Sequence, residues 1–494
     1  MPDIDPAAEL DVLVRSRYGI IVLDTPDEAQ ADTLLRGIAT RHSLPLWLWS
    51  RHAGLRRVGG SETQLADTAQ PLAALQRIAA DTAEGLFVFP VHEAWLDDSG
   101  VPSALKEAGT ALGQVRGAVI LLGEGIRLSP ALGREAAVLP IPAPTEAEYR
   151  DLLRRVVRDL QPQIELTPER TAELLALLKG LTRNEARRLI TRVILDDGRL
   201  DAGDLERVAT AKRQSVLQES LLEYSSAEET LADVAGLARL KGWLQSRQAL
   251  LRAPEKAAQY RLPFPRGILL LGVPGCGKSL SAKAVAREWA LPLLRLEVSR
   301  IYNKYVGETE RNLHRAMRSA ERIAPAVLWI DEIEKAFAIE GGSDDGGLSL
   351  RLLGTFLSWL QEREQPVFVV ATANDIERLP PELVRKGRFD EVFFVDLPGP
   401  EERRAIFAMQ LRRRAQDPAR FNLPGLASAT EGWSGAEIEQ AGVGALYTCL
   451  ARDEALEETG LLWEIDRTRP LSETMRERIA ALRAWAEGRA VPAS

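Results

Sequence analysis

GILLLGVPGCGKS, residues Gly267 to Ser279, is the stretch on which the reading of this chain turns. Gly267–Leu271 is an apolar strand run, and Leu280–Ala290 reads as a helix. Between them, Gly272-Val273-Pro274-Gly275-Cys276-Gly277-Lys278-Ser279 follows the pattern G-x-x-x-x-G-K-[ST] of a phosphate loop. The glycines let backbone N–H groups curl around phosphate oxygens, and the helix N-terminus adds a partial positive charge. In such a loop Lys278 contacts the β- and γ-phosphates, and Ser279 ligates Mg2+. A plain glycine turn would need none of the strand, the lysine or the serine.

A second apolar strand, AVLWIDE (Ala326–Glu332), ends in two carboxylates. Beside a phosphate loop these residue types have distinct tasks. Asp331 holds Mg2+ through water, and Glu332 orients and polarises the attacking water.

With these two motifs the sequence resembles the AAA ATPases of the wider AAA+ class, motif by motif from Leu231 to Trp433. LADVAGLARLKGWL looks like the family's leading segment, so the resemblance places Asp233, Ala235 and Gly236 against the adenine. It extends the nucleotide contacts from the loop to Leu280. In VVATAND, Asn374 matches the polar sensor that helps place the hydrolytic water. In LVRKGRFD, Arg385 and Arg388 take the arginine-finger positions, which in the family reach the neighbouring subunit's γ-phosphate and neutralise its charge. WSGAEIEQA resembles the second sensor, with Gly435 and Ala436 packed near the nucleotide. SRIYNKYVGETERNL resembles the first pore loop, where Tyr305 and Val306 would grip a threaded polypeptide. An aromatic ring suits such a non-specific grip. The following helix sets Arg311, Arg315, Arg318 and Arg322 on one face, which reads either as a solvated face or as a subunit interface. The match has departures: Glu334 stands where the family often has Asp, and Lys386 lies between the fingers. Cys276 is either a helix-end thiol with a lowered pKa or a small loop residue.

Working outward, the first half alternates strand and helix signals. GIIVLD (Gly19–Asp24), LPLWLWS (Leu44–Ser50), GLFVFPV (Gly85–Val91), GAVILLG (Gly117–Gly123) and AAVLPI (Ala136–Ile141) read as strands, with helices at Ala7–Arg17 and Glu28–Arg41. Three amphipathic helices follow, capped by Thr145, Thr167 and Thr182. The second half repeats the plan, and PGPEERRAIFAMQLRRR mirrors PAPTEAEYRDLLRRVVRD. Both halves are therefore read as α/β followed by helices. The expected fold class is α/β: a C-terminal P-loop AAA module, parallel sheet plus helical lid, behind a degenerate P-loop-like α/β domain with its own helical subdomain. The expected boundaries are 1–143, 144–225, 226–398 and 399–494, with a polar break at Ser225–Thr230 and a flexible loop at Gly341–Gly347. The first half has no site. Its first strand runs into DTPDEA without glycine or lysine, and its third ends in His92-Glu93 rather than Asp-Glu. This layout and the tail Thr468–Ser494 are similar to a divergent AAA family first recorded as a reading frame of algal plastid genomes.

Composition removes other classes. The 494 residues carry 71 acidic and 63 basic side chains, a net charge of −8. Of this, −7 falls in residues 1–250, and residues 251–300 hold nine basic side chains against three acids. Two cysteines and four scattered histidines give no zinc spacing. No apolar run reaches the ~18 residues of a spanning helix, and MPDIDPAAEL has no leader character. The expectation is a cytoplasmic protein without membrane contact. The resemblance implies an ATP- and Mg2+-dependent homo-oligomer, a hexamer in the family, that remodels or threads a protein client, with the first half recognising client or adaptor. The alternatives are an ATP-dependent assembly switch or scaffold and, less favoured because of the acidic charge, a nucleic-acid motor.

Overall fold

A computed structural model describes the chain except for residues 1–4, 60–62, 82, 92–93, 127, 219–220, 227–228, 302–305 and 338–346. It divides into two compact units, Met1–Arg213 and Gln214–Ser494.

The first unit is built on a six-stranded sheet. Its strands lie in the order Gly54–Val58, Leu46–Ser50, Gly85–Pro90, Gly117–Gly123, Ile20–Asp24 and Ala136–Pro140. All pairings are parallel except that of Gly54–Val58 with Leu46–Ser50. The five strands read from sequence are all present. Gly54–Val58 was not foreseen, because GLRRV has too little apolar pattern to announce a strand. Side chains alternate across the sheet, and both faces are buried. Ile20, Val22, Phe87, Phe89, Val119 and Leu121 enter one core; Ile21, Leu23, Leu86, Val88, Ile120 and Leu122 enter the other. Two covered faces explain why these strands read as unbroken apolar runs. The helices Glu146–Leu160, Pro168–Leu178 and Arg183–Asp197 follow, each capped by the expected threonine. The Tyr149 hydroxyl, fully buried, donates to the Leu181 carbonyl at 2.5 Å and ties the first of these helices to the start of the third.

The second unit repeats this topology. Its sheet runs Leu222–Ser225, Leu293–Leu296, Ala326–Ile330, Val367–Ala373, Gly267–Gly272 and Glu391–Val395, then a short added strand, Val491–Pro492. The five strands from Leu293–Leu296 to Glu391–Val395 repeat the order of the first sheet, and the edge strand is antiparallel in both, but Gly54–Val58 follows its neighbour in the chain whereas Leu222–Ser225 precedes all the others. Leu222–Ser225, expected to close the helical piece ending at 225, instead begins the second sheet. It pairs with Leu293–Leu296, an edge partner that local sequence does not reveal. Ile268, Leu270, Val327, Trp329, Phe368, Val370, Phe393 and Val395 form one core face under the helices Ala238–Arg252 and Lys278–Glu288. The helices Pro400–Arg413, Leu423–Ala429, Gly435–Arg452 and Glu458–Arg467 form a lid with its own core around Phe407, Trp433 and Leu461. Among the described residues no helix is long and apolar enough to cross a membrane.

Candidate active site

The phosphate loop joins the strand Gly267–Gly272 to the helix Lys278–Glu288. Gly275 has φ +74°, and a Cβ there would come within 3.0 Å of both Ala436 and Ser434 of the lid. The loop therefore needs glycine both for its conformation and for the close approach of the lid. Ala436 N donates to the Gly275 carbonyl at 3.0 Å, so the helix Gly435–Arg452 starts directly on the loop. Gly277 caps the helix without any side-chain hydrogen bond, so no side chain satisfies its first N–H groups.

Lys278 is buried and donates to the carbonyls of Gly272 and Val273 at 2.8 and 2.7 Å. Burial lowers its pKa to about 8. Cys276 moves the other way: burial pushes its thiol up to about 12. The structure therefore favours the small-loop-residue reading over the reactive thiol. The helix end does not compensate for the loss of water around the sulfur.

Ser279, Asp331, Thr372, Glu332, Asn374 and Glu334 form one network. Asp331 Oδ1 accepts from Ser279 Oγ at 3.0 Å and from Thr372 Oγ1 at 2.6 Å. Glu332 N donates back to Thr372 Oγ1 at 3.1 Å. Glu332 sits in the left-handed region, φ +52°, which is uncommon for a non-glycine residue and turns the chain out of the strand. Its carboxylate accepts from Lys335 Nζ at 2.5 Å and from Asn374 Nδ2 at 3.2 Å. The lysine bond, then the asparagine bond, hold it below the usual carboxylate range. Glu334 is buried, which raises its pKa, and its Oε1 accepts from Asn374 N at 2.9 Å. Asn374 is thus fixed by backbone and side chain to two carboxylates of one turn. Thr372 and Lys335 were missed in sequence. A threonine inside an otherwise apolar strand, two residues before the sensor, was the available signal for the first; an exposed lysine gives none.

Asp233, Ala235, Pro274 to Leu280, Asn374, Gly435 and Ala436 line one cleft of about 340 Å³. Asp233 is capped onto Thr230 N and Oγ1 at 2.9 and 2.8 Å and meets Arg413 at 3.4 Å; these contacts lower its pKa, the Thr230 bonds most. Gly236, φ +67°, turns against Glu402, whose carboxylate a Cβ would strike at 1.9 Å. Gly272 and Val273 act through their carbonyls on Lys278. Asp331 and Glu332 stand behind the cleft lining, joined to it through Ser279 and Asn374. Arg385 is exposed and Arg388 partly buried, with its Nη1 on the Leu357 carbonyl at 3.3 Å; neither lines the cleft of its own chain. Tyr305 lies outside the described residues, as do His92 and Glu93. Val306 opens the helix Val306–Ile323.

The donor set fits a nucleotide with a divalent ion. A buried ammonium and helix N–H groups without a side-chain cap are the donors an anion would take, and a hydroxyl and a carboxylate oxygen 3.0 Å apart are the hard oxygen ligands that Mg2+ would take. A fold of this topology with this site defines an AAA ATPase. The model of the AAA ATPase family (various cellular activities) matches residues 268–397. The N-terminal and second domains of SpoVK-like AAA ATPases match residues 6–141 and 147–219.

Beyond that class, an uncharacterized AAA domain-containing protein ycf46 from Trieres chinensis is 34% identical over 482 residues, 97% of this chain and 96% of its own length. The ycf46 protein of Pyropia yezoensis is 33% identical, covering 98% and 99%. A cell division cycle protein 48 homolog from Archaeoglobus fulgidus is 30% identical over 66% of this chain and 48% of its own length. The chain belongs to the ycf46 family of AAA domain-containing proteins.

The internal repeat had a sharper signature than the strand–Pro–helix pattern. Gly180-Leu181-Thr182-Arg183-Asn184-Glu185 and Gly432-Trp433-Ser434-Gly435-Ala436-Glu437 share glycine, a buried apolar residue, a hydroxyl N-cap and its capping-box glutamate.

Proposed function

We propose that this protein is an Mg2+-dependent ATPase that assembles into a ring and uses hydrolysis to remodel a protein client. The observation that carries the reading is the network linking Ser279, Asp331, Glu332 and Asn374 behind the phosphate loop. In it Lys278 and the loop N–H groups hold the β- and γ-phosphates. Ser279 and Asp331 hold Mg2+, which when bound neutralises phosphate charge. Glu332, set by Asn374, takes the proton of the attacking water.

Assembly is supported by where the fingers and apolar side chains lie. Arg385 is exposed and away from its own cleft, as a residue serving a neighbour would be. The lid exposes Tyr447, Leu450 and Trp463, and the large domain exposes Tyr260 and Leu262. Two such apolar patches on one chain suit a head-to-tail contact between copies, the kind that closes a ring. The arginines of Val306–Ile323 belong to the same proposed interface, and Tyr305 and Val306 to a pore. The first unit serves as the client- or adaptor-facing part.

The test has two arms. Glu332→Gln with ATP should give ring-sized particles and capture a client; monomers alone would overturn assembly. Tyr305→Ala should keep basal ATPase and lose client unfolding. If client-dependent activity survives, the protein is a switch or scaffold rather than a threading machine. Stimulation by DNA or RNA at physiological salt would instead favour a nucleic-acid motor.

A further inference from the structure

The nucleotide cleft is lined by more acid than base. Asp233, Asp396, Glu402 and Glu439 face it together with Lys278 and Arg413. A triphosphate brings further negative charge, so carboxylates left unpaired there would oppose binding. Three are answered within the large domain and lid, or by the backbone. Asp233 meets Arg413 at 3.4 Å and Glu439 meets Arg414 at 2.9 Å. Glu402 accepts from Gly399 N at 2.7 Å.

Asp396 accepts from Leu397 N at 2.7 Å, and it differs in where its cation comes from. It directly follows the strand Glu391–Val395, on the phosphate-loop side; Val273 N bonds the Val395 carbonyl at 3.0 Å. Burial raises the Cys276 pKa most, and the charge of Asp396 is among the further causes. Its cation comes from the tail. Arg483, on the helix Arg476–Ala486, grips it with Nε on Oδ2 at 2.9 Å and Nη2 on Oδ1 at 2.9 Å. This is the bidentate geometry in which a guanidinium best neutralises a carboxylate.

The tail is held in place for this. Val491–Pro492 pairs in parallel with Phe393 and Phe394, next to Asp396. Ala493 N donates to the Phe394 carbonyl at 2.9 Å, and Leu240 N to the Ala493 carbonyl at 3.1 Å. Ser494 Oγ bridges Leu237 N and Glu402, at 3.3 and 2.6 Å. Arg478 bonds Asp375, the neighbour of the sensor asparagine, at 2.7 Å. The tail therefore touches the base side, the phosphate side and the sensor side of the same cleft.

We propose that residues 468–494 are a working part of the nucleotide site, in which Arg483, a positioning residue, cancels the Asp396 carboxylate and so sets how strongly the site prefers nucleotides with more phosphates. This rests on the ATPase reading above. Arg483 never contacts the nucleotide; it acts through Asp396, and its effect scales with ligand charge.

The experiment is equilibrium binding of a non-hydrolysable ATP analogue, ADP and adenosine to the full chain, with thermal unfolding of each variant alongside. Arg483→Gln keeps a hydrogen-bond donor and removes the charge. It should weaken the triphosphate about fivefold at low salt, ADP less, and adenosine not at all, with the loss shrinking at high salt. Adding Asp396→Asn to Arg483→Gln should restore the triphosphate to the unaltered value. Equal losses for all three ligands, or a double variant as weak as the single one, would overturn the proposal and leave the tail a scaffold. If the unaltered chain binds no ATP analogue at all, the ATPase reading falls and takes this proposal with it.

Discussion

The two units share a strand order and a lid plan, and they differ most where a helix meets its loop. In the second unit the helix Lys278–Glu288 begins at Gly277 with no side chain capping it, and Lys278 waits beneath. In the first unit the corresponding helix, Glu28–His42, is capped by Asp27, which is buried. One Asp27 oxygen accepts from Gln30 N at 3.1 Å, and the other from Arg183 N at 2.7 Å, in the first turn of the lid helix Arg183–Asp197. The Arg183 side chain turns to Glu148. A carboxylate of the chain itself thus satisfies donors at two helix starts, whereas in the second unit Gly277 leaves the first of these helices without a side-chain cap and Ala436 N, at the start of the lid helix, turns to the Gly275 carbonyl. The contrast shows that one central strand order accommodates either a buried internal carboxylate or a glycine loop at the start of this helix.

Several changes would break or sharpen this contrast. Lys278→Ala should remove all nucleotide binding from the chain, measured by calorimetric stoichiometry; residual binding would mean that the first unit also holds nucleotide. Glu332→Gln should keep binding and lower turnover by about 10²–10⁴-fold, as expected when a general base is neutralised in place. Cys276, with its pKa near 12, is only about one part in ten thousand thiolate at pH 8. Iodoacetamide should therefore label it only when the unit unfolds. The sign for stability follows: the folded state keeps this proton while the unfolded chain releases it, so the contribution is lost as pH rises above about 9. Asp27→Ala should cost the first unit about 3 kcal/mol by stranding buried N–H groups, and hydrogen exchange should quicken at residues 182–186 with basal ATPase unchanged. An unchanged exchange pattern would remove Asp27 from its role. Tyr149→Phe, which deletes one buried hydrogen bond to Leu181, should cost about 1 kcal/mol in the same assay.

Much of this is legible in the sequence. Strands buried on both faces read as apolar runs, and threonine caps announced the helices of the first lid. The phosphate loop and Ala326–Glu332 signal chemistry by residue type and order. What stayed hidden depends on contacts between distant segments. Leu222–Ser225 reads as the end of the helical piece because its strand partner lies some seventy residues on. Thr372 and Glu334 became site residues only once two neighbouring strands set them beside Asp331 and Asn374. Asp27 read as an absence of glycine and lysine, whereas its role is a positive one, visible only when the N-terminus of Arg183–Asp197 is brought to it.

The strand Val491–Pro492 has a consequence in time. The first sheet needs nothing beyond residue 140. The second cannot fill its outer edge until the chain has been made through residue 492. At bacterial-to-eukaryotic synthesis speeds of roughly 5–20 residues per second, that interval is on the order of tens of seconds. A nascent chain therefore presents a finished first unit well before its second unit can close, so any partner of the first unit has the opportunity to be engaged during translation, ahead of the first ATP.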